Sequence, residues 1–200
     1  MTVHRPPLPQ RFFRRRAEEV ARDLLGASIR STVAGHEAEG LIGETEAYLG
    51  FDDPASHGYR GRRHAGNANL YAPPGTWYVY RSYGIHWCAN LVCGGAGGSA
   101  VLLRGVLPLR GLAIMRKRRG GVAPEVLANG PGKLCQALGI TRELDGVPMR
   151  HSAVLVSEAS DPAGDSVAVT PRIGITKAVD WPLRFVLESR WSDLPTAATA

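Results

Sequence analysis

Two hundred residues, 44% of them hydrophobic, are enough to bury one core, and they predict a single domain spanning residues 1–200. Twenty-four Lys and Arg against 18 Asp and Glu leave a net charge of +6 and a pI near 9.6, which points to an anionic partner such as nucleic acid. No apolar run approaches the roughly 20 residues that cross a bilayer and no leader precedes the first basic cluster, so a membrane span is excluded and a soluble intracellular protein is expected.

Along RFFRRRAEEVARDLLG (11–26), Phe12, Val20, Leu24 and Leu25 fall near helical spacing and Gly26 stands at a left-handed cap position, predicting an N-terminal amphipathic helix. ASIRSTVAG (27–35) and HEAEGLIGETEAYL (36–49) read as an antiparallel hairpin turning near Gly35. FDDPASHGYRGRRHAGNANLYAPPG (51–75) is rich in Gly, Pro, Asn and charge without periodicity, and a loop of that length in a compact domain is usually functional. TWYVYRSYGIHWCANLV (76–92) is aromatic and β-branched, broken at Tyr83-Gly84, and predicts a second hairpin. GGAGG (94–98) is a turn leading to a buried strand in SAVLLRGVL. RGLAIMRKRR and PGKLCQALGI predict short helices; SAVLVSE, SVAVTPRIGI and PLRFVLES predict strands; the tail PTAATA (195–200) is expected to be flexible. There is no βαβ alternation and no phosphate-binding glycine loop, which argues against a dinucleotide fold. Cys88, Cys93 and Cys135, an odd set without a CxxC pair, read as buried free thiols.

The chemistry concentrates in GETEAYLG (43–50). On a strand, Glu44, Glu46 and Tyr48 share one face while Thr45, Ala47 and Leu49 share the other. The two carboxylates would then stand about 6.5–7 Å apart, the spacing of an inverting glycosidase pair. Two neighbours on one strand, however, approach a sugar from one side, whereas such a pair must straddle it. The plain alternative is an edge strand with both glutamates in solvent. Downstream come His57, Tyr78, Tyr80, Tyr83, Asn90 and Arg104. Tyr78 and Tyr80 share a strand face, and Tyr83 occupies a hairpin tip, where Gly, Asn, Asp, Pro or Ser is the ordinary choice. In a basic protein, a tyrosine held out at a turn could wedge between bases.

Taken in order, GETEAYLGFDDPASHGYRGRR, PPGTWYVYRSYGIHWCANLV, VLLRGVLPLRGLAIMR, NGPGKLCQALGI, RIGI and WPLRF resemble the alkyladenine (3-methyladenine) DNA glycosylase family, the methylpurine type, from about residue 7 to residue 192. The combination of ETEAY, YVYxxYG and GPxKLCQAL carries the specificity. The resemblance implies an α+β fold: one compact domain, an antiparallel barrel-like β-sheet flanked by short helices, and a protruding DNA-wedging β-hairpin. It also implies double-stranded DNA containing damaged purines as the partner, a monomeric, DNA-associated enzyme without metal or cofactor, and base excision without strand cleavage. A non-catalytic DNA damage-binding protein on the same scaffold is the alternative.

Position by position, the resemblance assigns Glu46 as the base that activates water and Arg104 as the arginine that holds the water and the flipped nucleotide's backbone. Tyr48, His57 and Tyr80 become the walls around the extruded base, Asn90 the pocket residue that crowds a guanine 2-amino group, Ile175 a carbonyl facing the water, and Tyr83 the residue that fills the gap in the duplex. Two departures stand out. HAGNANLY (64–71) replaces the family's Thr-Pro-Arg-Thr or Thr-Pro-Arg-Asn run with its following Met-Phe, and Ile85 replaces the more usual methionine after Tyr83-Gly84. The lysines are Lys117, Lys133 and Lys177, none on the strand of Glu46.

Overall fold

In the computed structural model, which describes residues 5–158 and 166–188, the strands are β1 (Ser28–Ser31), β2 (Ala38–Tyr48), β3 (Trp77–Ser82), β4 (His86–Val92), β5 (Ala100–Arg110), β6 (Val154–Ser157), β7 (Val167–Thr170) and β8 (Arg184–Leu187). The helices are short: α1 (Gln10–Phe13), α2 (Ala17–Asp23), α3 (Leu112–Arg118) and α4 (Pro131–Leu138). Both expected hairpins form, β1 with β2 and β3 with β4. The tail 195–200 and residues 189–192 lie outside the described residues.

Alternation along the strands explains the layering. Odd-numbered Thr45, Ala47, Trp77, Val79, Ala89, Leu91, Val101 and Leu103 are all buried. Except for Thr45, they join one core with Val20 and Ala21 of α2, Leu24 at its C-terminal cap, and Leu134, Cys135 and Leu138 of α4. Thr45 satisfies its hydroxyl on the same side, donating to Ala21 O at 2.8 Å. In these stretches the even-numbered face therefore carries the polar and aromatic residues away from the helices.

The sheet runs β3-β4-β5-β2-β1-β6, with β8 also on β2 and β7 on β8, all antiparallel. It is not a closed barrel, which corrects the expectation. β2 divides one of its edges between two partners: β1 pairs with Ala38–Leu41 and β8 with Glu44–Glu46. The ladder to β5 shifts register between Ile42 and Thr45, where the neighbour changes. A sheet that forks in its middle has three ends among the described residues, β3, β6 and β7.

Two other expectations change. The N-terminal helix is two helices, because the Phe13 carbonyl accepts from Gly94 N–H at 2.8 Å instead of continuing the helical ladder. SVAVTPRIGI is strand only over Val167–Thr170, and RIGI runs on as irregular chain.

At the tip of β3–β4, Tyr83 (φ 50°) and Gly84 (φ 69°) both have positive φ and Ile85 N–H donates to Ser82 O at 3.0 Å, the geometry of a type I′ turn. Tyr83 is 87% exposed. Loop 51–75 is seated on the GGAGG turn: Ser56 Oγ contacts Gly98 O, and a Cβ on Gly50 (φ +80°) would meet Gly97 O at 2.3 Å. Gly50→Ala therefore combines left-handed strain with a backbone clash. A loss of about 1–3 kcal/mol is expected in a denaturant unfolding curve.

Candidate active site

The even-numbered face opens into a cavity of about 910 Å³. Tyr48 of β2, Tyr80 of β3, Asn90 of β4 and Arg104 of β5 line it from the sheet, with His57 and Ile175 added from loops. Tyr83 stands at its hairpin side. Of the residues singled out by sequence, Glu44 and Glu46 are absent from the wall; both are buried, Glu46 to 0% exposure.

Three donors hold the Glu46 carboxylate. Ile173 N–H donates to Oε1 at 2.7 Å, Tyr48 Oη donates to Oε2 at 2.9 Å, and Arg104 Nη1 lies 3.4 Å from Oε2. Burial pushes the Glu46 pKa above its ordinary value, against the pull of Arg104, Ile173 N–H and Tyr48. Burial, and then the Glu46 charge, raise the Tyr48 phenol, so it remains a donor. For Arg104, burial pulls downward but the two glutamates outweigh it, and its pKa rises.

Glu44 is neither solvated nor on an edge strand. Its Oε1 accepts from Arg104 Nε at 2.8 Å and from Arg184 Nε of β8. The carboxylates are thus no glycosidase pair astride a substrate. One orients the arginine that faces the other.

Aromatic contacts build the opposite wall. Tyr78 and Tyr80 stack with centroids 5.4 Å apart, His57 meets the Tyr80 ring edge-on at 4.5 Å, and His57 Nδ1 shares a hydrogen bond with Tyr78 Oη at 2.8 Å. Burial, then His64 and Arg62, lower the His57 pKa, so the imidazole is neutral at pH 7. Asn90 Nδ2 donates to Tyr78 O at 3.1 Å and to Cys88 O at 3.4 Å, fixing the amide plane. HAGNANLY still braces the wall, because Asn67 Nδ2 donates to His57 O and to Arg62 O, each at 3.0 Å.

Several contributors were not legible beforehand. Ile173 supplies its N–H from the same run that pointed only to Ile175, and Arg184 lies within the quoted WPLRF without any local sign of its partner. Asp53 and Arg172 form a wholly buried ion pair. Lys133 and Lys177, off the strand of Glu46, nevertheless line the cavity, as do Arg62, Arg81 and Arg119. The three cysteines are buried and unbridged. Among the described residues, no group of three or more His, Cys, Asp or Glu could hold a metal ion, and no helix is long and apolar enough to cross a membrane.

Chemically, the arrangement is a planar-walled cavity above a carboxylate of heightened proton affinity, flanked by a fixed cation. Such a group can take a proton from water and stabilise positive charge forming above it. A family model described as Methylpurine-DNA glycosylase (MPG) matches residues 11–190. A protein of Agrobacterium fabrum named "Putative 3-methyladenine DNA glycosylase" is 50% identical over 183 residues, covering 92% of this chain and 90% of its own. Proteins of the same name from Granulibacter bethesdensis and Methanoculleus marisnigri are each 46% identical, covering 89% and 90% of this chain and 82% and 95% of their own.

Removing Glu44 leaves Arg104 only its longer contact to Glu46 and Arg184 only the Thr170 hydroxyl, with side chains 12% and 21% exposed. Glu44→Ala is expected to lower unfolding free energy by about 3 kcal/mol, the scale for a broken buried pair, measured by chemical denaturation.

Proposed function

The chain belongs to the methylpurine-DNA glycosylase family, and from that premise we propose that it flips alkylated or deaminated purines out of duplex DNA and hydrolyses their N-glycosidic bonds. The substrates in this reading are 3-methyladenine and 7-methylguanine, with hypoxanthine and ethenoadenine in the same class. The product is an abasic site, the start of base excision repair. The observation that carries the reading is Glu46, buried under an aromatic cavity and held by Ile173 N–H, Tyr48 and Arg104.

Extruding a base costs a few kcal/mol, less where damage weakens pairing or stacking. Tyr83, already exposed at its turn, offsets part of that cost by filling the gap in the duplex. In the cavity, a cationic 3-methyladenine or 7-methylguanine gains roughly 0.5–2 kcal/mol from the electron-rich faces of Tyr48 and Tyr80. A neutral His57 supports this, since a second cation there would repel the base. Asn90, fixed through both carbonyls, supplies a rigid obstacle to a guanine 2-amino group, and the Ile175 carbonyl joins Glu46 in holding water.

A cationic base leaves without a general acid, so one carboxylate suffices. Glu46 takes the water's proton and stabilises the positive charge that develops on the deoxyribose. Arg104 holds the water and the nucleotide's backbone. Of its three neighbours, Arg104 makes the longest contact to Glu46, and water enters there. With water at Glu46 as the attacking group and not a lysine amine, the proposed reaction is hydrolysis without strand cleavage by a monomer. The basic rim of Arg62, Arg81, Arg119, Lys133 and Lys177 serves the phosphates. The pairing of Glu46 with Arg104 favours this over a non-catalytic damage-binding protein.

Single-turnover release of methylated purines should fall at least about 100-fold in Glu46→Gln and distinctly less in Glu44→Gln. Equal losses would remove the assignment. Because Glu46 must be ionised to act and its pKa is raised, the rate should rise with pH along an acidic limb above the ordinary glutamate value of about 4.3. Tyr83→Ala should weaken capture of lesion-containing duplex by about tenfold, on the scale of one lost stacking contact, in a titration against undamaged duplex.

A further inference from the structure

Asp53 and Arg172, 119 residues apart in sequence, meet with side chains at 0% exposure, and neither lines the cavity. Their contacts reach three of its walls. Arg172 Nη1 donates to Ala47 O at 3.0 Å, the residue between Glu46 and Tyr48, and the guanidinium lies over the Tyr48 ring with its carbon 4.7 Å from the centroid. Arg172 also precedes Ile173, whose N–H makes the shortest hydrogen bond to Glu46. Asp53 accepts from Arg172 through both carboxylate oxygens. It accepts in addition from Leu49 N–H at 3.1 Å and Ala55 N–H at 3.0 Å, tying the end of β2 to the loop that bears His57.

A pair serving only to fill the interior could be replaced by apolar side chains with little loss, because desolvating two charges consumes most of their attraction. This pair even leaves Arg172 Nε buried without a hydrogen-bond partner. What apolar side chains cannot reproduce is the set of directed bonds that joins Glu46, Tyr48, the Ile173 peptide and the His57 loop.

We propose that Arg172 and Asp53 are positioning residues for base excision: their ion pair clamps the Ile173 N–H onto Glu46, the Tyr48 ring against the guanidinium, and the His57 loop to the end of β2. This rests on the reading of Glu46 as the base. Without the clamp, the Ile173 peptide swings away and Glu46 loses a donor that favours its ionised form. Its proton affinity rises and the base it serves is less well aligned. DNA binding, which the basic rim supports, is untouched.

The test compares Arg172→Lys, Asp53→Asn and the apolar double variant Arg172→Met/Asp53→Leu with wild type and Glu46→Gln. The measurements are single-turnover release of 3-methyladenine and 7-methylguanine from dimethyl-sulfate-treated duplex as a function of pH, affinity for untreated duplex, and thermal unfolding. The expected result is folded protein, unchanged duplex affinity, a rate about ten- to a hundredfold lower at neutral pH, and an acidic limb moved to higher pH. A limb that moves distinguishes positioning from lost stability, since a smaller folded fraction scales the rate without displacing its pH dependence. Folded variants with the wild-type rate and limb overturn the proposal. So does failure of every variant to fold, which makes the pair a structural element. If Glu46→Gln itself keeps wild-type release, the reading of Glu46 fails; if it loses release while the Arg172 and Asp53 variants keep the wild-type profile, the clamp alone is wrong.

Discussion

Two carboxylates on the same face of the most enclosed strand are the constraint around which this protein is arranged. Glu44 and Glu46 are side by side where water is scarce, and like charges there are tolerated only with cations close at hand. Arg104 comes from β5 on one side of β2, Arg184 from β8 on the other, so the acids are balanced by one cation from each flanking strand. Seen this way, the fork in the sheet has an electrostatic purpose. If β1 continued along all of β2, nothing would place Arg184 beside Glu44.

The same strand also separates stability from chemistry by residue parity. Past the register shift at Ile42–Thr45, odd positions face the core shared with α2 and α4 and even positions face the cavity, whereas before it the even-numbered Ala38 and Ile42 are core. Substitution on the even face can therefore alter what the cavity accepts while leaving the packing of the odd face in place. The division is not complete. Glu44, Asp53 and Arg172, with the half-buried Arg184, sit between the two layers, buried like core but hydrogen-bonded like a site.

Local chemistry was the part written plainly in the sequence. Period-two alternation in GETEAYLG and TWYVYRSYG gives the faces correctly, and the Tyr83-Gly84 break gives the turn. What escaped was every feature whose cause lies far along the chain. The break between α1 and α2 comes from Gly94 taking the Phe13 carbonyl, some eighty residues away. The open sheet follows from β8 arriving at β2 long after β1 has taken its place. Arg172 and Arg184 carry no local signature, because an arginine in an irregular run or a short strand is ordinarily a solvated one. The excess of positive charge is divided as well. Arg15 and Arg16 pair with Asp23 and Glu18, Arg118 binds backbone carbonyls, and only part of the surplus gathers at the cavity.

The two-residue turn at Tyr83-Gly84 limits how this scaffold can diversify. In the β3–β4 ladder Tyr78 stands opposite Asn90 and Tyr80 opposite Cys88, so the loop's length decides which side chains look into the cavity. A residue added or removed there must be taken up as a bulge, or it slips one strand past the other and turns Asn90 toward the helices. The tip is thus free to vary in identity but not in count. Variation in how the hairpin meets its partner is confined to point replacement, and wholesale loop exchange, the common route to new specificity in other folds, is closed to it.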